Sequence, residues 1–186
     1  MNLLAKTISR AIAGLRIVRN VPFGTLTTLY NSLLQPLFDY CGIVWNNINI
    51  AQNDRLQKLR NRAARVIKKS PFEIRSHDIL TTLGWDNIAV RRSKHILIMM
   101  HKIMHNRAPN YLIDKFSRVV DTTHHNLRNN ERNLKLPNPK SEYLKKSFIY
   151  QGAKAWNSLR SDQRFIYSLS RFKNSINVSP PQFVNN

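Results

Sequence analysis

The stretch RLQKLRNRAARVIKKS, residues 55–70, constrains the fold more than any other part of the chain. Its apolar residues recur at intervals of three and four, which is the spacing of an α-helix. On a helical wheel five of them fall within an arc of about 100°, the width of a core-facing stripe: Leu56, Leu59, Ala63, Val66 and Ile67. Only Arg60 intrudes near the apolar edge. The pattern predicts a packed helix over residues 51–69.

Within residues 55–69 the opposite arc of this helix carries six cations and no acid: Arg55, Lys58, Arg62, Arg65, Lys68 and Lys69. A solvated helix face usually mixes signs, because ion pairs one turn apart stabilise it and like charges repel. Phosphates would supply the missing anions, so we expect these side chains to contact a nucleic-acid backbone. A merely solvated face in an evenly basic protein remains an alternative. A membrane surface is disfavoured, because Ala63 and Ala64 are small and aromatic anchors are missing.

The charge of the whole chain also indicates a polyanionic partner. Thirty Lys and Arg stand against ten Asp and Glu, a formal charge of +20 that attracts DNA, RNA or anionic lipid. A hydrophobic content of 42% is enough for a core, so the chain is not a disordered polyelectrolyte. A single cysteine, Cys41, allows neither an internal disulfide nor a cysteine-based zinc site. No apolar stretch is long enough to span a bilayer, and we expect no membrane partner.

The N-terminal segment, residues 1–20, permits two interpretations. It is amphipathic, it contains four cations, and no acid occurs before Asp39. This is the pattern of a mitochondrial transit peptide, and equally that of an ordinary helix in a very basic protein. We expect an intracellular protein, nuclear or cytoplasmic, with a small mitochondrial-targeted basic protein as the alternative.

Helical spacing continues along most of the chain, so the predicted class is mainly α. Helices are expected over residues 3–19, from Pro22 onward, and over 51–69, 76–83, 87–106, 109–116, 141–159 and 168–176. Pro36 should end or kink the second of them, because proline lacks an N–H and clashes with the preceding turn. Asn53 or Asp54 should lie near the start of the third, and Asp86 should cap the helix that follows Gly84.

A polar, Asn-rich stretch interrupts this pattern at residues 121–141 and predicts a loop, with an extended piece only at 134–136. Composition therefore divides the chain into four regions. They are a basic helical region at 1–117, a polar loop or linker at 118–141, C-terminal helices at 142–177 and a disordered tail at 178–186.

The acidic residues offer no sign of an active site. Two-metal phosphoryl transfer needs carboxylates close together, since they must hold two cations about 4 Å apart. The ten acids are dispersed, with no two adjacent: Asp39, Asp54, Glu73, Asp78, Asp86, Asp114, Asp121, Glu131, Glu142 and Asp162. A Gly-rich phosphate loop is also missing from the sequence. We therefore expect no catalysis and no cofactor.

His101 and His105, four residues apart in HKIMH, are the one pair at metal-ligand spacing. A zinc enzyme needs a third ligand and usually a glutamate between the two histidines, and neither is apparent here. We expect partly exposed helix histidines and no metal site.

Six segments occur in an order that resembles a known family. They are LYNSLLQPLFDYCGIVW (29–45), LQKLRNRAARVI (56–67), LGWDNIAVRR (83–92), KIMHNRAPNYL (102–112), NLRN (126–129) and SFIYQGAKAWNSL (147–159). Together they resemble the region that follows the polymerase core in reverse transcriptases of jockey-like, LINE-type (non-LTR) retrotransposons. The similarity extends over residues 6 to about 173, nearly the whole chain.

The resemblance implies a thumb-like, helical bundle-like C-terminal region of an RNA-directed DNA polymerase. In that family catalysis rests on an aromatic-Ala-Asp-Asp motif in the palm, upstream of the matched region, and this sequence lacks the motif. The expected function is a non-catalytic fragment that contacts DNA, RNA or a hybrid, with the missing palm as a second partner. The alternative is a decayed transposable-element remnant without selected activity.

Overall fold

The structure, a computed structural model, describes residues 2–40, 42–43, 49–120 and 132–178. Most of these residues are helical, and their only β-type pairing is an isolated antiparallel bridge between Arg118 and Leu134. The mainly-α class predicted from the sequence is confirmed. Cys41, residues 121–131 of the predicted loop and residues 179–186 of the predicted tail lie outside the described residues.

The chain divides into two compact units, Met1–Arg91 and Arg92–Asn186. The boundary lies inside a helix, Ile88–Met104. Composition instead places a boundary after residue 117, because a polar, Pro-containing stretch is the usual boundary signal in a sequence. The interior of a helix carries no such signal, so the division at Arg91 follows from tertiary contacts alone.

The described residues of the first unit contain five complete α-helices: α1 Asn2–Ile17, α2 Phe23–Leu29, α3 Gln35–Asp39, α4 Ile50–Lys68 and α5 Ser76–Thr82. The buried side chains of α1 recur every three or four residues: Ala5, Ile8, Ile12 and Leu15. They pack in one core with the apolar stripe of α4, in which Val66 is only partly buried. The periodicity of α4 therefore predicted its packing face, and α1 is the helix that packs against it.

Pro36 does not end the second helix. A π-helical turn, Tyr30–Leu34, joins α2 to α3, and the helical backbone continues to Asp39. In this wider turn the N–H of Gln35 donates to the carbonyl of Tyr30, five residues earlier. Proline cannot fit against an ordinary preceding turn, but it is tolerated in the first turn of a helix, where it lies in α3. The predicted interruption is corrected to a change of helix type.

Both ends of α4 are defined by local structure. Asn49 precedes the helix, and its side-chain oxygen accepts the N–H of Gln52 at 2.8 Å, so the cap lies before the predicted Asn53 and Asp54. At the other end Lys69 takes a left-handed conformation, with φ of 52°. This turn of the backbone directs the chain away from the helix axis into residues 70–75.

The helices that follow are α6 Ile88–Met104, α7 Asn110–Ile113, α8 Glu142–Lys145, α9 Phe148–Asn157, α10 Ser161–Arg164 and α11 Leu169–Val178. Asn87, and not Asp86, supplies a side-chain acceptor for the N–H of Val90 at the start of α6. The second unit has its own core, which includes Trp156 and Phe172. Leu134 is held in extended conformation because the side chain of Asn157 bonds both its N–H and its carbonyl.

Candidate nucleic-acid interface

A groove of about 970 Å³ lies in the first unit between α1 and the C-terminal half of α4. Ile12 of α1 and Leu59 and Val66 of α4 contribute apolar lining, which continues the packing stripes of the two helices. On the α1 side the lining residues Ser9 and Ala13 are small. Small side chains leave space above the helix contact, and this space is the groove.

Five cations line this groove, which we call the basic groove: Arg16, Arg19, Arg62, Arg65 and Lys69. No carboxylate occurs among its described lining residues. Four of the five are exposed, and Arg65 is partly buried. None of the five forms an ion pair with an acid in the described ranges. Positive charges from two helices therefore border one space without an internal counterion.

Arg65 is the one groove cation with extensive bonds to the protein. Its guanidinium donates to the carbonyl of Ile74 at 2.8 Å and to the Oγ of Ser76 at 2.9 Å. A longer bond of 3.4 Å reaches the carbonyl of Pro71. Arg65 thus fastens the turn after α4 to the helix, and less of its donor capacity is left for a phosphate.

Phe72 lies in that turn and lines the end of the basic groove. Its side chain is 85% exposed, more than any other described large apolar residue. The guanidinium carbon of Arg65 lies 5.3 Å from the centre of the ring, within the range of a cation–π contact. The groove therefore ends at an aromatic ring that packs against an arginine of the groove itself.

The other predicted site residues lie outside the basic groove. Arg55 donates to the side-chain oxygen of Asn2 at 2.9 Å, and Lys58 is exposed. Lys68 places its ammonium 5.6 Å from the centre of the Phe23 ring. Arg55 and Lys58 are one to two turns nearer the start of α4, and Lys68 lies on the other flank of the apolar stripe. Of the six predicted cations, the structure brings Arg62, Arg65 and Lys69 to one place.

Arg16 and Arg19 line the groove although no sequence pattern assigns them to a site. They are cations of an acid-free N-terminal segment, and that pattern predicts either a transit peptide or an ordinary helix. They share a groove with cations of α4 only because α1 and α4 pack together, although the two helices are far apart in sequence. No local sequence pattern predicts this packing. The absence of acids before Asp39 was the one available signal.

Arg60 does not lie at the edge of the apolar stripe but is buried within it, with 1% of its surface exposed. Its guanidinium carbon is 5.1 Å from the Trp85 ring centre and 5.9 Å from that of Phe38. Gln35 accepts one bond at 3.4 Å, and burial lowers the pKa of Arg60. Burial also raises the pKa of the neighbouring Tyr30 to about 12, partly offset by Arg60 itself. This cation belongs to the core and is not available to a ligand.

Of the two histidines expected to be partly exposed, His105, just after α6, is so, whereas His101 within α6 is not. His101 is fully buried and stacks on Phe172, with ring centres 4.5 Å apart. Its Nε2 donates to the carbonyl of Ile166 at 2.8 Å, and burial lowers its pKa. His105 bonds through Nδ1 to the carbonyl of His101. The pair is thus part of the packing of the second unit.

Three of the described acids form ion pairs with an arginine or a lysine. Asp39 forms a two-point ion pair with Arg91, in which both N–O distances are 2.7 Å. Glu142 pairs with Lys145, and Asp162 pairs with Arg160. Asp121 and Glu131 lie outside the described residues. Across the described ranges no group of three or more His, Cys, Asp or Glu is placed to hold a metal ion.

Comparison of the chain with models of protein families, with curated proteins and with solved structures finds no significant match. None of the helices in the described part of the chain is long and apolar enough to cross a membrane.

Proposed function

We propose that this chain is a helical nucleic-acid-binding module, and that its basic groove holds the phosphate backbone. One observation carries the proposal: exposed cations of α1, of α4 and of the segment after each helix border a common groove whose described lining contains no acid. Scattered surface cations in a protein of charge +20 would not need to share one concave site. A groove concentrates their potential and raises the local concentration of a polyanion.

The residue types suit phosphate. A guanidinium presents paired N–H donors that match two phosphate oxygens, while an ammonium acts as a compact point charge. Arg16 and Arg62 supply the first kind of contact from opposite sides, and Lys69 supplies the second kind. These contacts carry no base information by themselves, so we expect backbone binding without base specificity.

We further propose that the chain corresponds to the thumb and C-terminal region of a LINE-type, non-LTR reverse transcriptase, and that it acts without chemistry of its own. The six ordered segments support this, as does the lack of an aromatic-Ala-Asp-Asp motif in the sequence. Template–primer nucleic acid and the polymerase palm would then be its partners. The helical class of the structure is compatible with this proposal and does not distinguish it from other helical proteins.

The groove is tested with a double variant, Arg16→Gln with Arg62→Gln, which removes one cation from each wall. Binding of a labelled oligonucleotide is measured by fluorescence anisotropy over a salt series. Each lost phosphate contact should reduce the slope of log affinity against log salt by about 0.9 for duplex DNA and about 0.7 for a single strand. We therefore expect the slope to fall by about 1.4 to 1.8 and affinity to fall most at low salt.

A matched control is Arg10→Gln with Lys58→Gln, which removes the same charge from the same two helices at exposed positions outside the groove. We expect this control to change the salt slope by much less. Equal effects of the two double variants would show that overall charge, and not the groove, binds the polyanion, and the assignment of the groove would be wrong.

A further inference from the structure

Phe72 has a feature that phosphate binding alone does not explain. It is a large apolar side chain, 85% exposed, at the end of a groove otherwise lined by cations and packing residues. Exposure of a single apolar side chain is common by itself, but an aromatic ring beside a row of cations is the combination found in sites that bind nucleic-acid bases and phosphates together. The next residue, Glu73, is exposed and does not line the groove.

The ring also has a contact with a groove residue. The guanidinium carbon of Arg65 lies 5.3 Å from the centre of the Phe72 ring, and Arg65 is itself bonded to Ile74 and to Ser76, the first residue of α5. This contact restrains the ring and leaves most of its surface exposed to solvent. A preorganised aromatic face loses little conformational entropy when a flat partner stacks on it.

We infer that the basic groove takes single-stranded nucleic acid, and that Phe72 stacks on an unpaired base while the groove cations hold the adjacent phosphates. This inference rests on the proposed function and specifies its ligand. In a duplex the bases already stack on one another, whereas an unpaired base offers its face to an aromatic side chain. A wedge that opens a duplex must insert between two base pairs. Phe72 has Arg65 beside one face of its ring, so it suits stacking on a terminal or unpaired base better than insertion between two base pairs.

The charge of the groove decides the chemistry of the partner. An apolar protein surface could also cover a phenylalanine, but it would leave Arg16, Arg62 and Lys69 without anions. A single strand provides a base face and phosphates within one nucleotide repeat. It therefore satisfies the ring and the cations together, as in other single-strand sites that combine a basic groove with aromatic stacking.

The test compares the full chain with Phe72→Leu on two single-stranded oligonucleotides of equal length, one with bases and one abasic. We expect the variant to bind the strand with bases about tenfold more weakly, the loss for one stacked base of roughly 1.4 kcal/mol. Binding of the abasic strand, and the salt slope on both strands, should not change, because no phosphate contact is removed. A strand with 2-aminopurine should show fluorescence quenching with the wild type and less with the variant.

Tyr40→Leu is the control, since Tyr40 is 69% exposed in the same unit but does not line the groove. It should change none of these measurements. If Phe72→Leu binds both strands like the wild type, the stacking inference is wrong and the phosphate groove still stands. If it weakens the abasic strand equally, Phe72 acts through the structure of the turn, which also overturns the inference. The groove double variant tests only the proposed function, because it removes phosphate contacts and leaves Phe72 in place.

Discussion

Arg65 has two roles that depend on the shape of its side chain. Its planar fork bonds the turn after α4 at two well-formed points, and its face packs on Phe72. A lysine at this position would keep the charge but could not present parallel donors or a flat surface. The same residue therefore contributes charge to the basic groove and geometry to the aromatic ring, and a substitution can separate the two.

Arg65→Lys is expected to retain the salt slope of oligonucleotide binding, because the number of groove cations is unchanged. Preference for a strand with bases over an abasic strand should fall toward the value of Phe72→Leu, because the ring is no longer held. Both quantities come from the same anisotropy series. A lower salt slope with an unchanged base preference would contradict this role and would make Arg65 a direct phosphate contact.

Packing between α6, α11 and the segment before α11 explains why His101 is buried and why its pKa is lowered. Its ring lies on Phe172 of α11, and its Nε2–H donates to Ile166. The other nitrogen, Nδ1, is buried without a partner in the described residues, so protonation would add a buried donor with nothing to accept it. Electrostatic interactions with His105 and Arg107 lower the pKa of His101 further.

The pKa of His101 lies below its ordinary value of 6.5 in the folded chain, so the unfolded chain takes up the proton first. Stability is therefore complete above about pH 6.5 and falls as the pH decreases through this value toward the lower folded pKa. We expect the free energy of unfolding, from urea titrations at about pH 7.5 and about pH 5, to decrease with acid. His101→Gln should weaken this dependence, while His77→Gln, at an exposed site, should keep it. Identical pH profiles for the wild type and His101→Gln would refute this assignment.

As a whole, the chain combines a large positive charge with two units that each have buried apolar residues. Repulsion among the positive charges, a net +20, opposes folding into a compact chain. A bound polyanion neutralises part of this charge, so it should also stabilise the folded chain. In the proposed polymerase this property would serve binding, with chemistry supplied by the palm. The purified chain alone should then bind nucleic acid and leave it unchanged.

A primer-extension assay tests this separation of binding from chemistry. A preparation that shows salt-dependent oligonucleotide binding is incubated with a primed template, deoxynucleotides and Mg²⁺. We expect no extension, because polymerisation needs carboxylates that hold two metal ions close together. A cooperative thermal unfolding transition of the same preparation, followed by circular dichroism, shows that the chain is folded. Extension above background would contradict the proposal of a non-catalytic module.

Helical periodicity predicted the existence of the main helices and the packing face of α4. The unmixed positive arc of α4 indicated phosphate contact. These are local properties, since residues three and four apart share a helix face in any context. The two exceptions have causes that spacing does not reveal. Pro36 is accommodated by a π-helical turn, a local effect, whereas Arg60 is buried by tertiary contacts with aromatic rings of α3 and of the segment before α6.

Which cations form one site could not be read from spacing, because a groove belongs to two helices at once. Arg16 and Arg62 are far apart in sequence and share the groove only because the apolar stripes of α1 and α4 meet. The position of Phe72 beside the groove likewise depends on a left-handed residue, Lys69, and on bonds from Arg65 to the following turn. The amino-acid order specified the charges and the helix faces, whereas burial of apolar surface, a non-local effect, decided which charges border the same groove.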